Sequence, residues 1–319
     1  MTHKKKSSFI SKRSRSLVLI VIFCVIGVGL LITSRAAVSV VSYEPENGNK
    51  VGNMAIKSDQ TASANQAIHF GSINPNILPL GLNQTNGPSG NWSLKLNDEF
   101  EGTTLNSSNW STGWFGSGIT SPVQNQELVC YDPAQVSVGE GVLKLKIIAS
   151  QVNCAKGINP HPYRSGAITS MNKKLYSYGY FEAKILLDTD ANGNIYNWPA
   201  WWMDGTGDWP ATGELDVMEG LGGTATATWH GPENDGAGKK FGDVAITPGW
   251  HTFAAEWEPG RVTSYYDGIK RGTYASSTNI TSDVQFMALM AQVDEIGGHG
   301  GDLKVPSEMV VDYVRVWQR

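Results

Sequence analysis

Residues 197–220 read NWPAWWMDGTGDWPATGELDVMEG, and the last third of that stretch decides the fold. It carries three acids, Glu214, Asp216 and Glu219, in the spacing E-x-D-x-x-E, with Leu215, Val217 and Met218 between them. Those apolar residues suit a strand. Side chains on a regular strand alternate, so Glu214 and Asp216 share one face and Glu219, five residues on, points the other way. One extra residue inserted as a β-bulge restores the parity. The spacing therefore predicts a bulge near Val217 and Met218 and three carboxyl groups lining one cleft.

Three acids on one strand face repel each other, and strands disfavour Asp and Glu, so a solvated edge strand is the plain alternative. The surroundings argue against it. Trp198, Trp201, Trp202 and Trp209 lie just upstream, and Gly213 and Gly220 bracket the acids. Acids beside aromatic platforms describe a site that binds sugar rings and cuts glycosidic bonds. A retaining pair needs a nucleophilic carboxylate and a proton-donating carboxylic acid about 5–5.5 Å apart. Asp216, between the two Glu residues, is placed to hydrogen-bond the nucleophile.

The stretch resembles glycoside hydrolase family 16, whose signature strand follows a WPAxW segment, here Trp198, Pro199, Ala200 and Trp202. The resemblance implies Glu214 as nucleophile, Asp216 as its partner and Glu219 as acid/base. The bulged spacing is similar to the laminarinase-type β-1,3-glucanases and the agar and carrageenan enzymes, rather than to the unbulged lichenases. Residues 92–110 and 124–132 (QNQELVCYD) resemble further family segments, and the second implies a cleft contribution from Asn125, with Glu127 and Tyr131 also at matching positions. Ala167 and Lys184 stand where relatives commonly carry Arg, which bears on substrate choice. The resemblance covers about residues 91–319 and implies an all-β fold, a two-sheet antiparallel sandwich of the jelly-roll, concanavalin A-like kind. Trp202 and Trp114 are the candidate stacking platforms, His230, at a strand end, is a candidate substrate-binding residue, and Trp198 is expected in the core.

Composition agrees. The chain of 319 residues has 40% hydrophobic residues, 36 Gly and 11 Trp, with few helical runs of Ala, Leu, Glu and Lys, which favours a turn-rich β protein. Six Lys and Arg precede an apolar run from Leu17 to Ile32, and Ser34 and Ala36 fit a signal-peptidase site with cleavage after Ala36. An uncleaved anchor is the other reading of residues 1–36, and both imply export to an extracellular or cell-surface location. Without that segment 18 Lys and Arg face 29 acids, a net charge of −11, which excludes nucleic acid as a partner.

Residues 37–70 read as a short β-rich spacer similar to a carbohydrate-binding module fragment, with a turn at Asn47-Gly48, and residues 71–90 as a Pro-, Gly- and Asn-rich linker. Cys130 and Cys154 remain after export, as one disulfide or two buried thiols; an oxidising compartment favours the disulfide. The chemistry calls for no cofactor and the expected state is a monomer acting on a polysaccharide, β-glucan first. Some family members hold a structural calcium away from the cleft, and Asp312 is the candidate ligand. A mixed-linkage β-glucanase, a galactanase or a transglycosylase of the same family, and a non-hydrolytic glycan-binding protein, are the alternatives on the same sandwich.

Overall fold

The computed structural model describes residues 54–58, 66–70, 88–233, 238–295 and 297–319. The chain divides into two units, Met1–Ser72 and Ile73–Arg319. In the first, strands Met54–Ser58 and Gln66–Phe70 pair antiparallel. The segment at 1–36 and the Asn47-Gly48 turn lie outside the described residues. Among those described, no helix is long and apolar enough to cross a membrane.

The second unit is a sandwich of two sheets whose only regular helix, among the described residues, is a 3-10 turn at Pro133–Gln135. The front sheet runs in the order Lys239–Val244, Thr224–His230, Glu214–Leu221, Trp198–Gly205, Gln285–Gln292, Ala167–Thr169 and Ser111–Thr112. The back sheet runs Ile269–Ala275, Arg261–Tyr266, Trp250–Glu258, Gly179–Leu186, Ser307–Gln318, Val142–Val152, His161–Ser165 and Val129–Tyr131. Pairing is antiparallel except between Val129–Tyr131 and His161–Ser165. This is the all-β jelly roll.

Alternation explains the layers. On the front sheet Trp201, Met203, Leu215 and Met218 are fully buried and join one core with Phe181, Ala183, Trp257 and Val311 of the back sheet. The neighbouring side chains of the same front strands point out into the concave face. Tight turns hold the register. Asp267 and Gly268, both at positive φ, join Tyr266 to its partner Ile269, the two-residue connection that Asp-Gly favours. Glu140-Gly141 makes the same turn between Gly139 and Val142, the last pair of its hairpin.

Lys184 sits on the back sheet, where its Nζ lies 2.6 Å from Asp312 and over the ring of Trp250. It is not part of the cleft wall. Ala167 is buried in the front sheet opposite Met290.

Cys130 and Cys154 form a disulfide with their Cα atoms 6.2 Å apart. It ties the Val129–Tyr131 strand to the segment that leads into His161–Ser165. Closing a loop of about 25 residues is worth roughly 3 kcal/mol in the chain-entropy account. A Cys130→Ala/Cys154→Ala double variant should therefore lose about that much stability in denaturant unfolding, and an unchanged midpoint would deny the bridge that role.

Candidate active site

The acidic strand Glu214–Leu221 is irregular at one place. Against Thr224–His230, Asp216 pairs with Thr228 and Glu219 with Thr226, so Val217 and Met218 together oppose a single residue. Against Trp198–Gly205, Trp202 pairs with Asp216 and Trp201 with Met218, and the same irregularity appears. This two-for-one bulge turns Leu215, Val217 and Met218 inward and leaves Glu214, Asp216 and Glu219 on the outer face. All three acids line one cavity of about 740 Å³. Gly213 enters the strand at φ +79°, a backbone conformation that favours glycine.

The neighbouring strand supplies the facing wall. Trp198, Trp202 and Asp204 recur at even spacing and line the same cavity, whereas Trp201 and Met203 point into the core. Asp204 pairs directly with Glu214 across the strands. The site thus holds a fourth acid that the E-x-D-x-x-E reading passed over. Its parity with Trp202, two residues earlier, was the available signal.

Each of the three acids on the bulged strand has a side-chain nitrogen partner. The indole N–H of Trp209 donates to Glu214 Oε2. His230 Nε2 lies 3.1 Å from Asp216 Oδ2. Trp198 Nε1 donates to Glu219 Oε1 at 2.9 Å. Trp198 is buried as expected, yet it is also a site residue through that bond. Trp209 is half exposed, and its ring leans toward His230 at 5.6 Å.

Burial dominates the electrostatics. It pushes Glu214 well above the usual carboxylate range, with Asp216 and Asp204 adding repulsion. Asp216 is likewise pushed well up by burial and then by Glu219 and Asp204, against a hydrogen bond with Glu214. Glu219 is raised by burial, with the Trp198 donor and the charges of His230, His299 and Lys240 pulling down. Loss of solvent, more than neighbouring negative charge, therefore keeps the proton on Glu219. Asp204 is pushed up by burial to about 7.

The other sequence candidates fall in different places. Trp202 lines the cavity. Trp114 stands behind it, buried, with its ring edge-on to Trp202 at 6.3 Å and packed against Phe286. Asn125 is exposed and outside the cavity wall, which this loop reaches through Val123 and Gln124. Glu127, fully buried, holds that loop by accepting from the Gln124 N–H at 2.7 Å and from the Tyr131 hydroxyl at 2.7 Å. Lys240 and His299 also line the cavity.

Two groups of three ligating side chains converge among the described residues. Cys130, Cys154 and His161 are one, and there the sulfurs are bonded to each other. Glu214, Asp216 and His230 are the other. Asp312 belongs to neither, and its Oδ2 lies 2.6 Å from Lys184 Nζ.

A β-sandwich with acids and aromatic rings sharing one concave cavity defines a carbohydrate-active protein. A family model described as Beta-glucan synthesis-associated protein SKN1/KRE6/Sbg1 matches residues 1–220. The chain is similar to Glucan endo-1,3-beta-glucosidase A1 of Niallia circulans, 30% identical over 71% of this chain and 38% of that protein. It is also similar to Glucan endo-1,3-beta-glucosidase of Cryptopygus antarcticus, 30% identical over 72% of this chain and 93% of that protein. The laminarinase catalytic domain of Thermotoga maritima superposes with a TM-score of 0.61 at 25% identity, covering 72% of this chain and 99% of that one. The chain belongs to glycoside hydrolase family 16, in the group that the SKN1/KRE6/Sbg1 model describes.

Asp204 offers a pH test independent of catalysis. The folded protein holds its proton to about pH 7, whereas the unfolded chain releases it near ~4. Stability present below the unfolded value is therefore lost as pH rises through the folded one. Asp204→Asn should flatten the fall in unfolding free energy between about pH 4 and pH 8 by roughly 1–3 kcal/mol. An unchanged slope would contradict the burial argument.

Proposed function

We propose that this chain is an exported, retaining endo-β-glycosidase acting on β-1,3-glucan, with its catalytic domain at residues 91–319, and that it belongs to the laminarinase-like branch. The observation that carries the reading is the bulged strand that gathers Glu214, Asp216 and Glu219 in one cavity. The β-1,3-glucanase names of the relatives support the substrate, and the disulfide suits the oxidising compartment that export implies.

The chemistry follows from which acid carries a proton. Glu219, buried and raised, enters the reaction protonated. Glu214 and Asp216 share a hydrogen bond, and repulsion between them is relieved when Asp216 holds the proton and Glu214 the charge. The Trp209 indole steadies that charge. Glu214 then attacks the anomeric carbon as Glu219 passes its proton to the departing oxygen, leaving a glycosyl ester. With Glu214 esterified, Glu219 takes a proton from water, which attacks the same carbon from the opposite face to that of Glu214. The second inversion restores the β configuration.

A second reading, glucan transglycosylation, is favoured by the description of the family model, which concerns glucan synthesis. There a sugar hydroxyl replaces water in the second step. Growth of oligosaccharides beyond the substrate length would select it, and shortening alone would select hydrolysis.

Glu214→Gln and Glu219→Gln should each lower turnover of laminarin by at least about 10²–10⁴-fold while keeping the melting temperature. Azide should restore turnover of an activated glycoside by Glu214→Gly and yield the α-glycosyl azide. Full activity in either Gln variant, or a β-azide product, would overturn the assignment. A panel of β-1,3-glucan, mixed-linkage glucan and agar-type galactan should show preference for the first.

A further inference from the structure

The cavity wall on the Glu219 side contains His299, which Asp294 backs from outside the cavity, a pair that the three-acid mechanism does not use. His299 lies in the glycine-rich segment 297–301 and stacks flat on Trp198, with ring centroids 4.5 Å apart and planes 17° from parallel. Its Nδ1 lies 2.7 Å from Oδ2 of Asp294, whose side chain is almost wholly buried. Asp294 also accepts from the backbone N–H groups of His299 and Glu295, both at 2.8 Å. The His299 carbonyl in turn accepts from Gly222 N–H at 2.8 Å, fastening the segment to the turn that follows the acidic strand. The residue is held at four points, two on the ring and two on its backbone, yet close to half of its side-chain surface is open.

A carboxylate can only accept, so the proton on the paired nitrogen is Nδ1–H, and in the neutral ring Nε2 is then the acceptor. Nε2 bonds no protein atom among the described residues. Trp198, under the ring, is the same indole that donates to Glu219. Trp209, at the other end of the cavity, holds Glu214. The two ends thus differ: the nucleophile's end has an exposed indole, and the proton donor's end has an immobilised imidazole acceptor.

We propose that His299 is a substrate-binding residue for the leaving-group sugar, accepting a hydrogen bond at Nε2 from a pyranose hydroxyl on the Glu219 side of the scissile bond. Asp294 is the positioning residue that sets the tautomer. This rests on the glycosidase reading and on Glu219 as proton donor. It implies that His299 contributes to cleavage of a glucan, where the departing group is a sugar, and not to cleavage of an aryl glycoside, where it is a phenol.

The test compares wild type, His299→Ala and His299→Phe on a β-1,3-gluco-oligosaccharide and on an activated aryl β-glycoside carrying the same non-reducing sugars. The Phe variant keeps a ring to stack on Trp198 and removes the acceptor. A neutral hydrogen bond contributes up to about 1.5 kcal/mol, so both variants should lose about tenfold in kcat/KM on the oligosaccharide. On the aryl glycoside they should stay within about twofold of wild type, and the melting temperature should be unchanged. Full activity of His299→Phe on the oligosaccharide would reduce the residue to a stacking platform and overturn the proposal. Equal losses on both substrates would overturn the leaving-group assignment. A wild-type protein inactive on both would instead overturn the glycosidase reading, and this inference with it.

Discussion

The constraint on which the site depends is strand parity. A strand can present three side chains to one face only at even spacing, and five residues separate Glu214 from Glu219. The bulge at Val217 and Met218 resolves this by placing two residues opposite one. The cross-strand register then sets each acid against a chosen neighbour: Asp204 faces Glu214, Trp202 faces Asp216 and Ala200 faces Glu219. Removing one residue would also restore even spacing, without a bulge. The bulge differs in that it bends the strand and adds its own twist while the acids stay on the concave side.

Gathering four acids in a buried cavity is unfavourable by itself. Desolvation leads the upward push on each of Asp204, Glu214, Asp216 and Glu219. The other face of the same two strands offsets this, since Trp201, Met203, Leu215 and Met218 are fully buried in the sandwich core. A strand that is apolar on one side can thus hold an electrostatically costly arrangement on the other. The nitrogen partners Trp209, His230 and Trp198 then distinguish acids that are alike in burial. That distinction is what a pair of carboxyl groups needs in order to take two different roles.

Much of this was legible in the chain. Alternation and turn dipeptides predict the sheets, parity predicts the bulge, and the two cysteines outside the N-terminal apolar run indicate the bridge. What escaped depends on contacts distant in sequence or on loop geometry. Asp204 could have been found by extending the period of Trp202. Trp209 reaches Glu214 only because the segment after Gly207 folds back, which no periodicity announces. His299 comes from a segment about eighty residues beyond the acidic strand, held by backbone bonds to Gly222 and by Asp294. Asn125 shows the opposite case, since resemblance locates a segment near the cleft, which lines the cavity through Val123 and Gln124, without saying which of its side chains enters it.

The central claim is that the bulge leaves Glu214 facing the cleft as the attacking carboxylate. The most direct measurement is to inactivate the protein with an activated 2-deoxy-2-fluoro-β-glucoside and map the modified peptide by mass spectrometry. The account predicts a single sugar ester, on Glu214. A label on Asp216, Glu219 or Asp204 would contradict it, as would turnover of the parent glycoside by a protein that the fluoro sugar leaves unmodified.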